Sequence, residues 1–125
     1  MVKYALIIGT GGFIGSIARY LVSKFVQEAS LSSFPYGTFA VNIIGCLLIG
    51  IILGIAEKGT WLSPEWRLFL MVGICGGFTT FSTFAADNLN MMRDGQFFYV
   101  IIYTTISLLI GLIAVYIGHS VTKLI

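Results

Sequence analysis

Four apolar runs alternate with short polar breaks along this chain. They extend from about Tyr4 to Val26, Gly37 to Ala56, Trp66 to Arg93 and Phe97 to Val121. At ~1.5 Å of rise per helical residue, each is long enough to cross a hydrocarbon core of ~30 Å. The pattern predicts an all-α membrane protein, with transmembrane helices over 4–26, 37–56, 66–93 and 97–121 in a single domain of residues 1–125. The intervening segments carry turn chemistry: a Ser-rich stretch ending at Pro35, a charged loop with Gly59 and Pro64, and Asp94-Gly95. The first run, with Lys3 ahead of it, has the outline of a signal peptide. It is long, however, Arg19 interrupts its end, and no small-x-small cleavage site follows, so it reads as a retained helix.

The third run departs from what lipid-facing helices need. Gly73 to Phe84 holds three glycines, four hydroxyl residues and three phenylalanines. Glycine loosens a helix, and hydroxyls place hydrogen-bonding groups where hydrocarbon cannot satisfy them. Non-helical backbone persists at membrane depth only where protein buries it or water reaches it. The expectation is a third helix broken mid-membrane near Gly76 and Gly77, lining a site or a pore. Beyond the break, Phe81, Phe84 and Asn88 form one stripe, and Thr80, Thr83 and Asp87 the adjacent one.

Composition narrows the function. Only 10% of the 125 residues are charged and 58% are hydrophobic, against roughly 25% charged in soluble domains. The net charge of +2 comes without a basic cluster, which excludes nucleic acid as a partner. Cys46 and Cys75 stand singly in apolar segments, with neither disulfide nor zinc spacing. Gly9-Thr-Gly-Gly-Phe-Ile-Gly15 mimics a dinucleotide-binding loop, but that fingerprint needs a βαβ unit, and no second strand follows. In a membrane helix, Gly11 with Gly15 and Gly12 with Ser16 are small-xxx-small pairs that admit a close neighbour. One terminal His and the lack of paired carboxylates make an enzyme improbable. A proton-coupled multidrug exporter needs a deep carboxylate, and the first, second and fourth runs have none. A non-transporting assembly module with glycine faces remains an alternative.

A pathway for a small anion fits better. Neutral donors such as Asn42, Ser82, Thr83 and Ser107 replace part of a hydration shell without trapping the ion. Phenylalanine ring edges are electropositive and can face an anion. Carbonyls freed at the break are hard oxygen ligands suited to a cation. Asn42 alone reads either as helix glue or as a pore donor, and Arg19 either as a snorkelling interfacial charge or as an anion attractor. Four crossings place both termini on one side. Lys3, Lys58, Arg67 and Lys123 on that side face Lys24, Arg93 and Arg19 on the other, almost no bias, so the chain is compatible with insertion in both orientations.

Three motifs, Gly11-Gly-Phe-Ile-Gly-Ser-Ile-Ala-Arg-Tyr20, Gly37-Thr-Phe-Ala-Val-Asn42 and Gly76-Gly-Phe-Thr-Thr-Phe-Ser-Thr-Phe84, occur in this order. With them the chain resembles the Fluc (CrcB-type) fluoride channels over nearly its whole length. The resemblance implies an antiparallel, dual-topology homodimer in the cytoplasmic membrane, with two pores and passive fluoride export. It implies a structural Na+ at the two-fold axis, held by the backbone carbonyls of Gly76 and Thr79. Phe81 and Phe84 would be the fluoride-contacting pair, and Asn42 the pore asparagine. Ser82, Thr83 and Ser107 would be polar-track hydroxyls, and Tyr103 a pore-lining tyrosine. Arg19 and Asp87 would act as vestibule or anchor groups. Ala85 and Asp87 depart from the Ser and Glu common in the family, and Ser16 from a frequent Ala. On this division of the third run, substituting Gly76 or Gly77 is expected to harm dimer assembly.

Overall fold

A computed structural model describes residues 1–125. It contains helices and loops only. Helix α1 spans Val2–Ser30, α2 spans Tyr36–Ala56 and α6 spans Phe97–Val121. The third span, Pro64–Arg93, is composite. It opens with α3 (Pro64–Arg67), widens into a π-helical segment (Leu68–Cys75), tightens for one turn as α4 (Gly76–Phe78), breaks, and resumes as α5 (Phe81–Arg93). All four spans are long and apolar enough to cross a membrane.

Two elements differ from the sequence expectation. Helix α1 continues to Ser30 and ends where Leu31 turns left-handed, at φ 55°. Gln27, expected to open the polar turn, is helical and pins that turn. Its Nε2 donates to the Ser32 and Phe34 carbonyls and its Oε1 accepts from the Gly37 N–H, each at 2.9 Å. The lengthened helix places Arg19 eleven residues, or ~16 Å of rise, before the last helical residue, not near the helix end.

The break lies at Thr79–Thr80 rather than at Gly76 and Gly77. Thr79 (φ −87°, ψ 157°) and Thr80 (φ −152°, ψ 119°) are extended, while both glycines keep helical geometry. Gly77 serves proximity instead. A methyl group on Gly77 would lie 2.7 Å from the Gly12 carbonyl oxygen, so this residue seats the third span on α1 of the same chain. Gly76 is exposed, and a methyl there would meet only the Met71 carbonyl oxygen, at an ordinary contact distance of 3.8 Å. The close neighbour of Gly77 within the chain is therefore α1.

Small residues set the packing throughout. A methyl on Gly11 would sit 2.8 Å from the Gly73 Cα, and one on Gly15 would run into the Ile74 carbonyl. Between α2 and α6, Gly50 abuts the Val115 carbonyl and Gly118 the Leu47 carbonyl. Without a hydrophobic driving force inside lipid, such close backbone approach supplies the dispersion contacts that hold spans together. Helix α2 packs on both α1 and α6, whereas α1 and α6 share almost no contact, and α5 leans on α6. The third span meets α1 through its first half, α2 along its length and α6 through α5, so α1 and α6 are the one pair of spans scarcely in contact. Around the break, Phe81, Ser82 and Thr83 are exposed, which leaves that face open.

Candidate functional site

The open face holds a groove of about 610 Å³ beside the break. Asn42, Cys46, Phe81, Phe84, Thr104 and Ser107 line it, together with Gly76, Thr79 and Thr80. No charged side chain takes part. Its polarity comes from amide, hydroxyl, thiol and backbone groups.

Asn42 reaches from α2 to the break. The Thr80 N–H donates to Asn42 Oδ1 at 2.8 Å, and Asn42 Nδ2 donates to the Thr80 carbonyl at 3.1 Å. This double bond pattern fixes the amide's orientation, since only one face of the carboxamide donates. One Nδ2 hydrogen remains for the groove. Thr80 also caps α5: its Oγ1 accepts from the Thr83 N–H at 3.1 Å and donates to Thr83 Oγ1 at 3.0 Å. Hydroxyls at this position satisfy a helix's first unpaired N–H groups.

The break changes the backbone's account. In a continuous helix the Thr80 N–H would bond the Gly76 carbonyl, and the Thr83 N–H the Thr79 carbonyl. Both donors are engaged elsewhere, so both carbonyls are released beside the groove. This is the donor set that a hard monovalent cation takes. The Thr79 N–H and Oγ1 both remain on the Cys75 carbonyl, at 3.0 and 2.9 Å.

Ser107 presents a buried Oγ without a hydrogen-bond partner in the chain. A buried hydroxyl left unpaired costs about 1–3 kcal/mol, which marks it as a group kept for something other than stability. The aromatic side chains form a continuous run. Phe81 and Phe84 have centroids 5.7 Å apart, Phe84 and Tyr103 4.8 Å, and Tyr103 and Phe34 5.5 Å.

These features coincide with a sequence match. Residues 6–119 match the family described as CrcB-like protein, Camphor Resistance (CrcB). The chain belongs to the CrcB-like family. Relatives named fluoride-specific ion channel FluC are similar along nearly the full length. That of Chlorobaculum tepidum is 47% identical over 99% of this chain and 98% of its own. That of Chlorobium luteolum is 47% identical over 94% and 91%. That of Azobacteroides pseudotrichonymphae is 37% identical over 98% of each.

In this CrcB-like chain the residues singled out from sequence fall into four groups. Asn42, Phe81, Phe84 and Ser107 share the groove with Gly76 and Thr79. Ser82 and Thr83 lie exposed on the first turn of α5, outside the groove's lining. Tyr103 is fully buried against Phe84, and its hydroxyl donates to Asp87 Oδ2 at 3.1 Å. Arg19 is half-buried on α1 and makes no ion pair. Sequence reasoning missed the part played by Thr80, 8% exposed, which both pairs with Asn42 and caps α5. A threonine opening a helical run is an N-cap signature, and that signal was available. Thr104 and Cys46 also line the groove, and only Cys46 carries a sequence reading, as a lone thiol.

Proposed function

We propose that this chain is a fluoride-selective channel that releases fluoride passively across the cytoplasmic membrane. The observation that carries the reading is the groove itself, a membrane-depth wall of neutral donors and phenylalanine edges with no charged side chain. The names of its relatives supply the ion. Fluoride is small and strongly hydrated, so its passage needs donors that partly replace water yet let go. The free Nδ2 hydrogen of Asn42 and the unpartnered hydroxyl of Ser107 are such donors, and the Phe81 and Phe84 edges complete the path. Ser82 and Thr83 extend it along α5. Tyr103 supports Phe84, and its bond to Asp87 holds that carboxylate away from the groove. Arg19 attracts anions toward the path.

The channel is read as a homodimer of antiparallel copies. Ser82 and Thr83 are polar, exposed and within a membrane span, and hydrocarbon does not satisfy such groups. A second copy covering the open face does. The released carbonyls of Gly76 and Thr79, met by those of the second copy, are the groups that would hold a Na+ between them. When bound, that ion supplies charge to carbonyls that otherwise lack a donor.

The decisive measurement is efflux from liposomes containing the purified protein. Fluoride should leave rapidly and chloride hardly at all; equal efflux of the two anions would remove selectivity from the reading. Ser107→Ala is expected to lower fluoride flux roughly fivefold, the equivalent of one net hydrogen bond of about 1 kcal/mol. Its thermal stability should be unchanged or higher, since a buried unpaired group is removed. A variant that loses stability but not flux would make Ser107 a packing residue only.

A further inference from the structure

We propose that Asn42 is the positioning residue that holds the third span open, and so releases the carbonyl that faces the cation. The break has no helix-breaking residue at its centre, and the Thr80 cap is its only local support. Thr79 and Thr80 carry no positive φ, and no proline or glycine stands at the extended positions. Nothing in the backbone prevents the Thr80 N–H from returning to the Gly76 carbonyl and closing another helical turn. What holds it away is a side chain 38 positions earlier. Asn42 offers Thr80 one acceptor at 2.8 Å and one donor at 3.1 Å, the pair of bonds that a neighbouring strand would give an extended residue. Thr80 is only 8% exposed, so water does not compete for these groups.

The consequence joins two functions. Asn42 satisfies Thr80 and thereby leaves the Gly76 carbonyl without its helical donor. Thr80 Oγ1 takes the Thr83 N–H and does the same for the Thr79 carbonyl. One amide on α2 thus leaves a hydrogen atom for the groove and, with its other two sites, keeps the Gly76 carbonyl free. The anion's wall and one of the cation's two ligands are set by a single side chain, and the Thr80 hydroxyl sets the other. The cation half of this inference rests on the channel reading above; the clamp itself does not.

Two measurements on the full chain in detergent test it. The first is amide hydrogen exchange at Thr80. The wild-type amide should exchange slowly, and Asn42→Leu, similar in bulk without polar atoms, should speed exchange at least about tenfold, as expected for losing paired bonds of about 1 kcal/mol each. Asn42→Asp keeps an oxygen toward the Thr80 N–H in either protonation state and should retain slow exchange. It serves as the deciding variant if Asn42→Leu does not fold, because rapid exchange in Asn42→Asp overturns the clamp. The second is the Na+ concentration giving half of the thermal protection, with choline replacing Na+. Asn42→Leu should raise it about tenfold, while Ser107→Ala, which lines the groove but does not touch the break, should leave it unchanged. An Asn42→Leu protein with wild-type exchange at Thr80 overturns the proposal. Wild-type protein without any Na+ protection overturns the cation half alone. Fluoride efflux, measured separately, reports on the channel reading and moves neither result.

Discussion

Replacing Gly118 with valine is expected to force α2 and α6 apart and to cost about 3 kcal/mol or more of stability. The reason is the kind of atom it would meet. A side chain on Gly118 runs into the Leu47 carbonyl and the adjoining backbone of α2, while Gly50 meets the Val115 carbonyl in return. Backbone cannot rotate away as a flexible side-chain tip can. The α2–α6 pair is also the most extensive helix contact in the chain, so separating it disturbs the wall that carries Ser107 and Thr104. Gly9 supplies the contrast: nothing lies within 4 Å of a methyl placed there. Gly9→Ala should be neutral or stabilising by up to about 1 kcal/mol, through helix propensity alone. Thermal unfolding of the purified variants reads both. If Gly118→Val melts with the wild type, the close approach of α2 and α6 is wrong.

The four spans were legible because apolar run length is a strong and local signal. The ends were less so, for a physical reason visible at Gln27. Its polar character pointed to a loop, yet its side chain spends all its capacity on the turn while its backbone stays helical. Arg19 moved deeper into the span as a result. The break shows a different limit. Glycine at 76 and 77 looked like the weak point, and a weak helix does need a cause. The cause is partly local, in the Thr80 cap of α5, and partly tertiary: Asn42 holds Thr80, and no window around Thr80 contains that partner. Gly77 answers a packing need, since a methyl there would crowd α1. The two readings of Asn42, glue or donor, were posed as alternatives. The amide has enough hydrogen-bonding sites for both, and its geometry commits two of them to the break. Helical spacing placed Phe81 and Phe84 on one stripe and the family resemblance gave them a role, while the groove they share with Ser107 arises from packing between spans that no single run reveals.

Phe81→Ile is expected to cut fluoride flux on the order of a hundredfold while leaving the fold of the chain intact. Phe81 is 79% exposed, so its ring contributes little to packing within the chain. Its nearest aromatic partner is Phe84, at 5.7 Å and a 39° tilt, and Phe84 keeps its contact with Tyr103 when Phe81 is gone. Stability and conduction should therefore separate at this position. On the proposed path an anion sheds part of its water at the break, and leaving it uncompensated would cost several kcal/mol. The electropositive ring edge is one of few groups here able to offset that cost, because the groove holds no charged side chain. Isoleucine fills similar space without an edge. A loss of only ~3 kcal/mol at the barrier slows passage about a hundredfold. The check is fluoride efflux from liposomes, beside the thermal midpoint of the same preparation. Wild-type flux through Phe81→Ile would take the ring out of the ion's path. A collapsed midpoint would mean that the exposed ring is covered by a second copy and serves assembly, which places Phe81 at the dimer interface instead.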